Sequence, residues 1–352
     1  MPRRSLSAAL VAVAALVGLL AAGWWLQPRL GREPPVAPSS SRQPAPAVTT
    51  GPAPVTTSRP PASPGITRIV DTALVDDIAV SRGAVWVAAG GLVLRVDPVA
   101  RRKVVVAGNE ATEPPVVRLT VGAGAIWAAT TSARHLLRID PRSARVTASL
   151  SVPAEAVAAD AGGVWVVCCG ARGGQLTRVD PVSNRVVAAI RLPGFPFAVG
   201  VGPSGVWVLD ATGFVWRVDP ASNRVVATIR LPSSTVDKGE PGGAVAVTGD
   251  GVWVSDPGAA TVWRIDPRRN QVTGDRWEAD GSDLAVTADG VVWATSDVRL
   301  LGLGGQEVRG PRRGLHELNT DRITAVAAAP DGLWLGTPDG LFHVDRSVLR
   351  QG

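Results

Sequence analysis

One tryptophan phrase recurs along this chain and constrains its fold more than any other feature. It reads GAVWV at Trp86, GAIWA at Trp127, GVWVV at Trp165, GVWVL at Trp207, GVWVS at Trp253, VVWAT at Trp293 and GLWLG at Trp334. The spacings are 41, 38, 42, 46, 40 and 41 residues. A period near 40 carried by short β-type segments is the pattern of propeller blades with four strands each. The expected fold is therefore all-β, a seven-bladed β-propeller over residues 66–352.

The stretch 243–276 gives the layout of one blade. AVAVT is an apolar innermost strand, GDG a turn, VWVSD the second strand, TVWRID the third, PRRN a turn and QVTGDR the outermost strand. Each run is short, rich in Val or Trp, and bounded by Gly, Pro, Asp or Asn. The third strand ends in RVDP or RIDP in five blades, at Asp97, Asp140, Asp180, Asp219 and Asp266. Asp caps such a turn, Pro presets φ, and Asn at 184, 223 and 270 tolerates left-handed backbone. Five copies argue for turn chemistry and packing between blades, because one active site does not need five. Blade six carries LGLGG at 301–305 where the RVDP phrase belongs, and blade seven ends after GLFHVD at 340–345. The segment ITRIVDTAL at 66–74 matches the outermost strand RVVATIRLP at 224–232. The N-terminal strand of the body is thus expected to complete blade seven and close the ring, removing exposed edges.

Residues 1–5 read as a cytoplasmic stub carrying Arg3 and Arg4. The uncharged run Leu6–Leu26, ending in Trp24-Trp25, has the length of a single transmembrane helix and an aromatic interface marker. Cleavage after Ala21-Ala22-Gly23 is the rival reading; either one puts the body outside the cytoplasm. Residues 27–65 are rich in Pro, Ser, Thr and Ala and read as a semi-rigid stalk. At about 3.1 Å per residue its reach is at most on the order of 100 Å.

The net charge of +6 sits mostly in this leader: residues 1–65 hold six arginines against Glu33, leaving 30 basic and 29 acidic residues in the body. No basic run stands out there, which argues against a nucleic-acid partner; the body is expected to be monomeric. Cys168 and Cys169 are adjacent, with Cα atoms about 3.8 Å apart, short of the usual disulfide span of about 4.4–6.8 Å. They are either a strained vicinal pair or two small residues at a strand end, and they close no metal site.

Loop variation on a rigid scaffold is where binding concentrates. Connections between blades, and between second and third strands, vary here: 108–115, 168–175, 193–197 and 233–243. Aligning blades on Trp puts Asp77, Arg118, Ala156, Ala198, Ala244, Asp283 and Ala325 at the entrances of the innermost strands. Asp77, Arg118 and Asp283 form a candidate polar-ligand or cation site, with Asp210 and Asp256 ending second strands on the same face. His135, His316, Cys168 and Cys169 are candidate loop contributors.

The phrase DPxSNRVVATIRLP with DGVWV-type second strands resembles bacterial propellers of the YVTN and virginiamycin B lyase-like (streptogramin lyase-like) repeat group, over residues 66–346. That resemblance implies the propeller fold and, for the lyases, Mg-dependent chemistry using His and Glu. This chain has only His135, His316 and His343, and His343 stands where other blades carry Arg95, Arg138, Arg178, Arg217 or Arg264. No catalytic residue carries over. The function expected is a membrane-tethered, extracytoplasmic binding or scaffold module for a protein, peptide, glycan or small polar ligand, without cofactor; a Mg-dependent lyase or hydrolase is the alternative.

Overall fold

A computed structural model describes residues 65–349 apart from 73, 82, 109–115, 131–134, 171–172, 233–242, 257–258, 280–282, 297–298, 305–306 and 310–321. The stub, the apolar run and the stalk up to residue 64 lie outside the described residues, among which no helix is long and apolar enough to cross a membrane. Seven four-stranded antiparallel sheets follow one another. Their innermost strands are Val75–Ser81, Val116–Gly122, Ala156–Asp160, Pro196–Gly202, Val245–Val247, Leu284–Val286 and Ala325–Ala329. Each of these touches the innermost strand of the next blade, and the last returns to the first. Together they form a seven-bladed propeller.

Closure follows the expected route. Ile66–Asp71 pairs antiparallel with Gly340–Asp345 and becomes the fourth strand of blade seven. Blade six, despite its altered phrase, keeps four strands, the last reduced to Glu307–Arg309. One sequence expectation changes. The stretch 168–175 is less a variable loop than an extension of the blade, since Cys168, Cys169 and Gly170 continue the ladder opposite Gln175, Gly174 and Gly173.

Seven apolar clusters occupy the seven seams, each built around the repeated tryptophan of the leading blade. Trp86 packs with Leu119 and Ile126 of blade two, Trp165 with Val199 and Val206 of blade four, and Trp334 with Val75 and Ile78 of blade one. Trp86, Trp127 and Trp207 are fully buried. Truncating such an indole to Ala costs about 3–5 kcal/mol, so each seam depends heavily on its tryptophan.

In the first five blades the repeated tryptophan also lies across the ladder from the repeated arginine, as Trp165 from Arg178, Trp207 from Arg217 and Trp253 from Arg264. The guanidinium sits over the indole, 5.0 Å from the ring centre for Arg178 and 5.3 Å for Arg217. It then reaches forward. Arg178 Nη1 donates to Pro220 O (2.6 Å) and Asn223 Oδ1 (3.0 Å) in blade four. Arg217 repeats this to Pro267 O (2.7 Å) and Asn270 Oδ1 (2.9 Å) in blade five. In blades four and five the DP…N turn therefore does two jobs: it reverses the chain and accepts the clamp from the preceding blade. In blade three, by contrast, Asn184 Oδ1 is buried without a hydrogen bond among the described residues. Asn184, Asn223 and Asn270 hold φ of 54°, 55° and 52°; Arg101 and Ala144 hold the same left-handed position in blades one and two. The third strand of blade seven carries His343, its ring packed against Trp334 with centres 4.6 Å apart and planes tilted by 47°.

Candidate functional site

Antiparallel order divides the loops between two faces. The first-to-second and third-to-fourth turns form a turn face; strand entrances, second-to-third connections and blade-to-blade connections form a mouth face. The register sets the seven entrance residues at one equivalent place, opposite the residue two beyond each tryptophan. Asp77 faces Ala88, Arg118 faces Ala129, Ala156 faces Val167, Ala198 faces Leu209 and Ala325 faces Gly336. Ala244 and Asp283 meet Ser255 and Thr295 there through backbone hydrogen bonds of 3.0 and 3.2 Å.

Two of these residues share one geometry. Asp77 Oδ1 accepts from the N–H of Ile78 (2.7 Å), and its Oδ2 from the N–H of Leu119 in blade two (2.8 Å). Asp283 Oδ1 accepts from Leu284 N–H (2.8 Å), and its Oδ2 from Val326 N–H in blade seven (2.8 Å). Each carboxylate thus clasps its own innermost strand to the next one. Between them, Thr324 Oγ1 donates to Val75 O (2.5 Å), joining blade seven to blade one.

Asp76 is a mouth residue that blade alignment passed over. The ladder shifts register between Val75 and Asp77, so Asp76 is the extra residue of a bulge, and the strict alternation of a strand fails there. Arg118 Nη1 donates to the Asp76 carbonyl (3.4 Å). The adjacent acidic pair was the available sequence signal; nothing in it announced the bulge.

Burial dominates the electrostatics. It pushes the Asp283 carboxyl up to about 7, helped by the neighbouring charge of Asp77 and opposed by the Val326 amide and Arg118. Burial also raises Asp77, against Arg118 and the Leu119 and Ile78 amides. Asp76 rises to about 6 through burial, with Arg118 acting against it. Among the described residues these three carboxylates therefore lie in the field of Arg118 in a partly buried place. Such a site favours either a proton or an incoming positive charge.

The other candidates lie apart from this cluster. Asp210 is buried and spent on its own hairpin, accepting from Thr212 N–H (3.0 Å), Phe214 N–H (2.8 Å) and Thr212 Oγ1 (2.7 Å). Asp256 Oδ1 accepts from Ala259 N–H (3.2 Å) in its own connection. His135 opens a third strand, its Nδ1 2.8 Å from Ser149 Oγ on the outermost strand, well out from the mouth. His343 Nε2 lies 3.5 Å from Asp331 Oδ2 on the turn face. Cys168 is buried; the Cys169 side chain and all of His316 lie outside the described residues. Among the described residues no three His, Cys, Asp or Glu side chains are grouped to hold a metal ion. The His and Glu set that Mg-dependent lyase chemistry calls for does not assemble from them. Comparison with protein-family models gives no match to the chain, and comparison with curated proteins gives none either.

Proposed function

We propose that this chain is a binding propeller, tethered by Leu6–Leu26 with its body outside the cytoplasm, that receives a positively charged group of a polar ligand at its mouth. The observation that carries this reading is the imbalance at the mouth. Among the described residues, Arg118 is the cation whose charge acts on Asp76, Asp77 and Asp283, and burial raises all three carboxyls. Carboxylate oxygens keep a second lone pair after accepting one backbone N–H. An ammonium or guanidinium from a peptide, an amino sugar or a small amine would supply the missing donors and displace the protons.

Thermal shift against matched panels of amines, carboxylates and neutral sugars tests the ligand class. An amine should raise the melting temperature of the wild type and leave Asp76→Asn/Asp283→Asn unmoved. Stabilisation by carboxylates or neutral sugars alone would refute the cationic assignment. Magnesium-dependent turnover of a streptogramin would replace the binding reading with the lyase one. The tether is tested separately by carbonate extraction of native membranes, which should leave the protein in the pellet. A mature protein beginning at Trp24 in the medium would establish cleavage instead.

A further inference from the structure

We infer that the turn-face rim of blades one to four docks on the anionic surface of the membrane that tethers the chain. The inference rests on the tether reading and adds an orientation to it. Its first support is charge. The outermost strands Arg102–Gly108, Arg145–Leu150, Arg185–Leu192 and Arg224–Arg230 hold seven basic residues and no acidic one, in a body whose 30 basic and 29 acidic residues nearly balance as a whole. Five of the seven, Arg102, Lys103, Arg145, Arg185 and Arg224, lie in the first two positions of their strands, where the chain leaves the turn face.

The second support is apolar exposure in the same place. Val104, Val105, Val187 and Val226 are 56, 57, 56 and 53% exposed, and the turn-tip residues Val99 and Val182 reach 92 and 87%. Basic residues alone would be explained as edge protection against strand pairing. Paired, solvated valines behind them work against that purpose, whereas cationic and aliphatic side chains together suit an interface of headgroups and acyl chains. The turn aspartates of these blades aim their oxygens back at their own turn amides, as Asp180 does toward Ser183 N–H (2.7 Å).

Chain direction supplies the third. Ile66 pairs with Val344 near the end of the third strand of blade seven, and Gly65 O accepts from Asp345 N–H (2.7 Å). The first described residues, Gly65 and Ile66, therefore lie on the turn face. Docking there leaves the mouth turned away from the bilayer. Outer strands elsewhere carry acids, with Asp275 and Glu278 in blade five, Glu307 in blade six and Asp71 in blade seven, so the contact is one-sided.

The test uses the full chain in nanodiscs of phosphatidylcholine, with or without phosphatidylglycerol, read by amide hydrogen exchange. Docking predicts that the outer strands of blades one to four exchange about tenfold more slowly in anionic discs, an effect removed by salt. The variant R102Q/K103Q/R145Q/R185Q/R224Q should lose this protection, and Val104→Ser/Val187→Ser should weaken it. R191Q/R230Q, at the far ends of the same strands, should keep it. Equal exchange in both discs, with the chain embedded, overturns docking and leaves the tether standing. A chain found in neither disc overturns the tether and docking together. Equal protection by soluble polyphosphate overturns the membrane as occupant.

Discussion

Along the seams from blade three to blade five, Arg178 and Arg217 cross the turn face to the Pro carbonyl and Asn side chain of the next blade. Around the closing blade that arrangement is gone. Blade six has no DP…N turn to receive Arg264, which pairs instead with Asp250 of its own blade (3.2 Å), and blade seven offers His343. There the clamp gives way to a half-exposed turn-face ion pair, Arg346 to Asp289 of blade six (3.1 Å), and to mouth-face hydrogen bonds through Asp283, Thr324 and Asp77. The two arcs hold a blade to its neighbour differently, the first by turn-face guanidiniums and the second chiefly by mouth-face carboxylates and a hydroxyl. A guanidinium on a solvent-facing turn keeps its charge at little cost, whereas a carboxylate at the mouth is partly stripped of water. The same substitution that holds the closing arc therefore creates the charged mouth.

The largest expected effect comes from the closing arc. Deleting Ile66–Asp71 removes the fourth strand of blade seven and should lower the melting temperature by more than about 10 °C. Deleting 35–60 should leave it within about 1 °C. Equal behaviour of the two truncations would show that blade seven closes without its N-terminal strand.

Within the regular arc, Arg217→Ala loses two bonds to the next blade and its place over Trp207, for about 2–4 kcal/mol. Arg264→Ala, which also loses its place over Trp253 but gives up only ion pairs with exposed aspartates, should cost about 1–2 kcal/mol. Chemical denaturation compares them; equal losses would mean that forward reach contributes nothing. The comparison sharpens at blade one, where Arg95 occupies the clamp position but blade two offers Ala144 at φ 54° instead of Asn. Among the described residues Arg95 Nε is buried without a hydrogen bond. Ala144→Asn relieves left-handed strain and restores the acceptor, so it should stabilise by about 1 kcal/mol. An unchanged or lower midpoint would detach the turn Asn from the seam.

The ring was legible because tryptophan spacing, turn phrases and strand alternation all repeat, and each copy averages out local ambiguity. The same alignment put Asp77, Arg118 and Asp283 at one level, since equivalent residues in a propeller share a height on the channel wall. It did not reveal their hydrogen bonds: Asp77 meets Leu119, and Asp283 meets Val326, only after neighbouring blades pack. Asp76 was missed because a bulge is set by ladder geometry, not by residue type. Asp210 read as a mouth acid because it ends a second strand, a position that served a hairpin equally well.

Proton linkage separates the two arcs most directly. Asp283 titrates near 7 in the fold against an ordinary 3.8, so the folded state holds its proton more tightly than the unfolded chain. Stability from this group is present in acid and is lost as pH rises through about 7. The turn aspartates Asp140, Asp180, Asp219 and Asp266 are lowered, chiefly by turn hydrogen bonds. Their contribution is present above the ordinary 3.8 and is lost as pH falls through their depressed values. The deciding measurement is a pH titration of backbone amide shifts by NMR. It compares Val326, which donates to Asp283, with Ser183, which donates to Asp180. The account predicts a Val326 midpoint near 7 and a Ser183 midpoint below 3.8. If both amides titrated together in the ordinary carboxylate range, the mouth would be simply solvated, and the charge imbalance on which the binding role rests would be gone.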